Sequence, residues 1–215
     1  IMVQHLMMSG KILNKILFKA LFVFFLISIV IFYVVDANSI EKLEAEKFVI
    51  NTTAKAKIIA LNKDFSTDEK KKAIQKLALE SVDVDGLGRY CLGSNINSLN
   101  DKEKKIYVSK FREFFSKNIT NRLQNYSDED IQIIGSEKRS KNYVLVKSKI
   151  ISKLDKQEIN IDWRVFLVND KLLIRDLVVE GISLAKAQRE EFSSIFTSSG
   201  FKGLIDNLNN FINNN

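Results

Sequence analysis

The chain has 215 residues, 46% of them hydrophobic and 27% charged, with a formal net charge of +7. Its one histidine is His5 and its one cysteine is Cys91. Beyond residue 5 there is therefore no source for a histidine-based triad or histidine metal ligand, and no intramolecular disulfide can form.

The first 37 residues follow the grammar of an export signal. Lys11, Lys15 and Lys19 make a positive n-region, and residues 20–35 are apolar apart from Ser28 and the Tyr33 hydroxyl. Val35-Asp36-Ala37 then offers small residues for a cut after Ala37. This 16-residue run falls short of the ~20 residues that cross a bilayer, and a retained anchor is the alternative to cleavage. Translation is expected to start at Met2, Met7 or Met8. Removing the leader leaves 178 residues with 30 basic and 25 acidic side chains, a net +5. Export to the periplasm would remove the protein from most nucleic acid, which is not expected as a partner. The basic excess reads as a solvated surface or as weak attraction for anionic headgroups or an acidic partner. The mature chain is the size of one domain, 38–215, and is expected to be a monomer.

Residues 39–62 carry Ile40, Leu43, Ala45, Phe48, Val49, Thr52, Ala56 and Ile59 at helical spacing. Ser66-Thr67-Asp68-Glu69 starts a second helix, which ends before Asp83. Three glycines in 82–93 frame a short helix. Its Gly-Leu-Gly lacks the following Gly-Lys-Ser/Thr and the strand-to-helix setting of a phosphate loop. Cys91 is read as a small core residue. Asn100 or Asp101 caps a long helix to about Asn125, with Phe111, Phe114 and Phe115 on its apolar stripe. Core and cavity wall are both open readings for these rings.

Four antiparallel strands follow, at 131–135, 143–151, 158–168 and 171–179, with charged flexible loops at 137–141 and 153–157. On the second, Val144 and Val146 share an apolar face with Ile150; on the third, Trp163 and Val165 share one with Ile159, Ile161 and Leu167. Asn169-Asp170 marks a hairpin turn. Gly181 makes an elbow, Ser183 caps a helix at about 183–198, and a last helix spans 201–212. Helices, then a four-stranded sheet, then helices make an α+β fold.

The closing segment resembles the MlaC family, the toluene-tolerance auxiliary proteins of the periplasm. The matching residues are Trp163-Arg164-Val165, Asp176, Val179-Glu180-Gly181-Ile182-Ser183-Leu184, Arg189-Glu190-Glu191-Phe192 and Gly200. A second block, Asp83, Leu87, Arg89, Leu92 and Gly93, agrees with it. The resemblance spans roughly residues 40–208. It implies a curved sheet wrapped by helices around a cavity, in the manner of a nuclear-transport-factor-2-like cone. It also implies no catalysis and no cofactor, with phospholipid as cargo. The implied partners are an inner-membrane ABC transporter bearing an MCE-domain ring and an outer-membrane lipoprotein–porin complex, which together maintain outer-membrane lipid asymmetry. The expected cavity wall is Phe111, Phe114, Phe115, Val144, Val146, Trp163, Val165 and Phe192, with Leu87 and Ile182 at its mouth. Two alternatives stand beside this reading. One is an isomerase or dehydratase on the same architecture, using Asp162, Asp176, Tyr90 or Tyr143. The other is a membrane-tethered interaction protein. In the carrier reading Asp176 pairs with an arginine near the elbow, such as Arg89 or Arg189.

Overall fold

The computed structural model describes residues 39–123, 130–151 and 158–214. The leader expected at 1–37 and the loop at 153–157 lie outside them. Among the described residues there are five α-helices and one five-stranded sheet.

Helix α1 (Lys42–Leu61) buries Ala45 and Val49. Helix α2 (Thr67–Ser81) opens on a capping box: the Glu69 amide donates to Ser66 Oγ, and the Ser66 amide donates to Glu69 Oε2 at 2.8 Å. Helix α3 (Val84–Leu92) is capped by Asp83, whose carboxylate accepts from the Gly86 amide at 2.9 Å. A 3-10 segment (Gly93–Ser98) leads to helix α4 (Asp101–Leu123). Asn100 is the cap there, because it exchanges side-chain-to-amide bonds with Glu103 at 2.9 and 3.0 Å.

The strands are β1 (Asp130–Ser140), β2 (Tyr143–Ile151), β3 (Glu158–Val168), β4 (Lys171–Val179) and β5 (Ile182–Ser183). They pair antiparallel in chain order and leave the sheet unclosed. Two expectations are corrected here. The charged stretch at 137–141 is mostly strand, because its side chains are spent on ion pairs: Lys138 with Glu41 at 2.8 Å, Arg139 with Glu137 at 2.5 Å, and Glu137 with Lys147. Bulges on either side of 135–138 accommodate it. The sheet also gains a fifth strand. Glu180 (φ 48°) and Gly181 (φ 80°) both take positive φ, which makes the elbow a two-residue hairpin turn pairing Val179 with Ile182. Asn169 and Asp170 do the same between β3 and β4.

Helix α5 (Leu184–Asn214) begins at Ser183, whose Oγ accepts from the Lys186 amide at 3.0 Å, and breaks at Gly200 (φ 65°). The two helices expected at 183–198 and 201–212 are its two arms.

The packing forms two cores. In one, α1 lies on the sheet: Ile40, Ala45 and Val49 close over Val144, Val146 and Val165, all fully buried. In the other, α3, α4 and α5 meet through Leu92, Tyr107, Phe111, Phe192, Leu204 and Leu208.

Candidate functional site

A cavity of about 550 Å³ lies between the two cores. Its floor is the end of the sheet's apolar face that α1 leaves uncovered: Trp163, Ile174 and Leu177. Ile74, Leu77 and Ala78 of α2 face it, with Thr52, Thr53 and Ala56 from the C-terminal half of α1. The helical core supplies Leu87, Cys91, Phe111, Phe114, Phe115 and Ile119. Leu184, Ala185, Gln188 and Glu191 of α5 complete it. The wall is mostly apolar, and the volume falls within the ~300–1,000 Å³ usual for ligand pockets.

The floor is rigid for a stated reason. Trp163 Nε1 donates to Ser148 Oγ at 2.8 Å, and Ser148 in turn donates to the Ile161 carbonyl at 3.1 Å. Ser148 is fully buried, so the indole keeps its polar edge satisfied while its ring faces the cavity. Opposite, Phe111, Phe114 and Phe192 form a ring cluster with centroids 5.7–6.2 Å apart. Gly88 packs against this cluster, since a Cβ there would lie 2.8 Å from the Phe111 ring. The Tyr107 hydroxyl donates to the Gly88 carbonyl at 2.8 Å and holds α3 against α4.

Two buried carboxylates, Asp83 and Asp176, tie together the elements around the cavity. Asp83 accepts from the Gly86 amide and from Arg175 Nε at 2.7 Å, tying α3 to β4. Asp176 accepts from Ser183 Oγ at 2.6 Å and from the Ala185 amide at 2.9 Å, tying β4 to α5. Its arginine is Arg164 at 3.4 Å, which corrects the expected Arg89 or Arg189. Arg189 instead lies over the Tyr90 ring and against Gly93. Burial, with the nearby charge of Asp176, pushes the Cys91 thiol up to about 12, so Cys91 stays a neutral thiol in this wall.

A polar hollow of about 480 Å³ adjoins the cavity and shares Phe114, Asn118, Gln188 and Glu191 with it. Asn207, Asn210, Phe211 and Asn214 form the rest of its wall. Its polar groups are thus amides, with Glu191 as the one ionisable side chain among the described residues; Gln188 Nε2 donates to Glu191 at 2.8 Å.

The structure brings Phe111, Phe114, Phe115, Trp163 and Leu87 together around the cavity. It places Val144, Val146 and Val165 under α1 and Phe192 inside the helical core, away from the cavity wall. Ile182 is 64% exposed and is not on the wall; Leu184, two residues on, is. Sequence reasoning missed the α2 wall and the Thr52, Thr53 and Ala56 face of α1. The small residues at helical spacing in α1 were the available signal.

No curated protein sequence matches the chain. Among solved structures it resembles a phospholipid-binding protein from Ralstonia solanacearum, determined in complex with a phospholipid. The TM-score is 0.67 at 13% identity, covering 78% of this chain and 96% of that one. At that identity the likeness establishes the shared fold. The sequence model of the MlaC protein family matches residues 51–210, three-quarters of the length, and the chain belongs to the MlaC family.

Proposed function

We propose that this protein is a periplasmic phospholipid carrier, exported by its leader, that sheathes acyl chain in the cavity between its two cores. The observation that carries the reading is that cavity: apolar, floored by a fixed indole, and sharing part of its wall with an amide-lined hollow. At ~30 Å³ per methylene-sized group, its volume houses roughly 18 such groups, about one long chain. Each methylene removed from water contributes about 0.8 kcal/mol, so one chain of ~16 carbons is held by on the order of 10 kcal/mol. The amide-lined hollow suits the glycerol and headgroup, because amides donate to ester and phosphate oxygens without demanding one net charge. The phospholipid in the Ralstonia solanacearum structure supports this cargo class. The lipid is passed between an inner-membrane ABC transporter with an MCE-domain ring and an outer-membrane lipoprotein–porin complex.

The isomerase or dehydratase reading loses support at Asp176. Both of its oxygens already accept hydrogen bonds and one faces Arg164, so the best-placed carboxylate is spent on structure. The carrier reading is tested by mass spectrometry of an organic extract of protein purified from its native compartment. Phospholipid in near-stoichiometric amount is expected. Protein that yields none, and takes none from liposomes, ends the proposal.

A further inference from the structure

Helix α1 has two apolar sides. One, with Ala45, Val49, Thr52 and Ala56, packs on the sheet and lines the cavity. Leu43, Ile50, Ala54, Ile58 and Leu61 fall on the opposite side, within about 80° of arc at 3.6 residues per turn. All five are exposed, Ile58 by 68% and Leu43 by 61%, although Leu43 reads from sequence as a core position. Phe65, just past the helix, is 39% exposed. Large exposed apolar side chains gathered on one surface mark an interaction site, unlike single scattered ones.

The charges around this stripe choose the partner. No Asp or Glu occurs between Lys47 and Lys63, a stretch that also contains Lys55 and Lys57. Lys47, Lys55 and Lys63 are exposed. The acids nearest the stripe are at its ends, Glu44 and Glu46 beside Leu43 and Asp64 beside Phe65. Between them, a helix face that joins bulky aliphatic side chains to an excess of lysines matches an anionic lipid surface: the apolar groups enter the headgroup boundary and the ammonium groups pair with lipid phosphates.

We propose that the outer face of α1, from Ile50 to Phe65, docks this protein on the surface of a bilayer containing anionic phospholipid. Docking sets the cavity one helix away from the lipid, because the same turns of α1 present Thr53 and Ala56 inward. The surface is independent of what the cavity carries, and the two ideas fail separately.

The test is cosedimentation of the protein, purified from its native compartment, with phosphatidylethanolamine vesicles that contain or lack phosphatidylglycerol. Binding to the anionic vesicles at low salt is expected, with release at high salt. Ile58→Asp should weaken it by about tenfold, since it removes an inserted aliphatic group. Lys55→Ala and Lys63→Ala should each weaken it by about fivefold, as one lysine near an anionic surface does. These side chains are exposed, and circular dichroism should show unchanged folding. The proposal is overturned if the wild type binds neither vesicle, if it binds both equally, or if folded variants bind like the wild type. A dimer dissolved by Ile58→Asp, with no vesicle binding, would assign the stripe to a second copy instead. Vesicle binding by protein that never carries lipid would end the carrier reading and leave this surface standing. Bound lipid without vesicle binding would do the reverse.

Discussion

Asp176 illustrates what single residues decide in this fold. Its side chain is 4% exposed, yet it closes the β4–β5 turn through Ser183, caps α5 through the Ala185 amide and faces Arg164. Arg164 Nε is itself buried without a hydrogen-bond partner among the described residues, so removing the carboxylate strips the guanidinium of an ion-pair partner. Asp176→Ala should therefore cost about 2–4 kcal/mol in urea unfolding, as loss of a buried carboxylate that accepts two hydrogen bonds does. A loss below ~1 kcal/mol would mean that the carboxylate is not structural. That Asp176 needs an arginine is legible in the sequence. Which arginine is not, because the answer depends on register: Arg164 stands directly across from Asp176 on β3, immediately before a bulge. Asp83 is similar. Its place at the head of a short helix is readable from residues 82–93, but its bond to Arg175, 92 positions away, is set by the short parallel bridge of Val82 to Ile174.

At the scale of elements, the two-residue period identifies the apolar face of β2 and β3 and leaves open what covers it. Val146 and Trp163 are cross-strand partners on that face. Val146 lies beneath α1 and Trp163 reaches the cavity, so adjacent positions of one face meet opposite fates. No periodicity separates them, since the difference arises from how far along the sheet α1 runs. Substitution does separate them. Val146→Trp should overpack the α1–sheet core and destabilise it by about 1–3 kcal/mol. Ala78→Trp, on the cavity wall, should leave the thermal midpoint close to wild type while the lipid recovered in organic extracts falls severalfold. If the two variants behave alike, the division between solid core and cavity is wrong. The aromatic stripe of α4 divides in a comparable way. Tyr107 is locked into the helical core by its bond to Gly88, and Phe115 stands on the cavity wall.

On the scale of the whole molecule, the order of motifs from Asp83 to Gly200 was enough to read the family and the α+β class. The arrangement of two cores with a space between them was not, because it depends on the path of α1 and α2 over the sheet. That path leaves α1 unevenly held. Its N-terminal half is fixed by Ala45 and Val49, by Ser136 donating to Glu46 at 2.5 Å, and by Lys138 bonding Glu41. Beyond Val49 no residue of α1 is buried, and that half stands over the cavity. Amide hydrogen exchange should follow this gradient, with slow exchange around Ala45–Val49 and faster exchange from Thr53 to Leu61. Loading with phospholipid should slow the second group and leave the first unchanged; uniform protection along the helix would contradict the asymmetry. The cavity borders both cores through Trp163, Ile174, Phe111 and Phe114, but the fully buried Val144, Val146, Val165, Leu204 and Leu208 lie off its wall, so emptying it leaves the centre of each core packed. For the proposed carrier, release of lipid would then be a local event at the rim of a standing molecule, which would allow repeated rounds of loading and delivery without an unfolded state in which its apolar faces would aggregate.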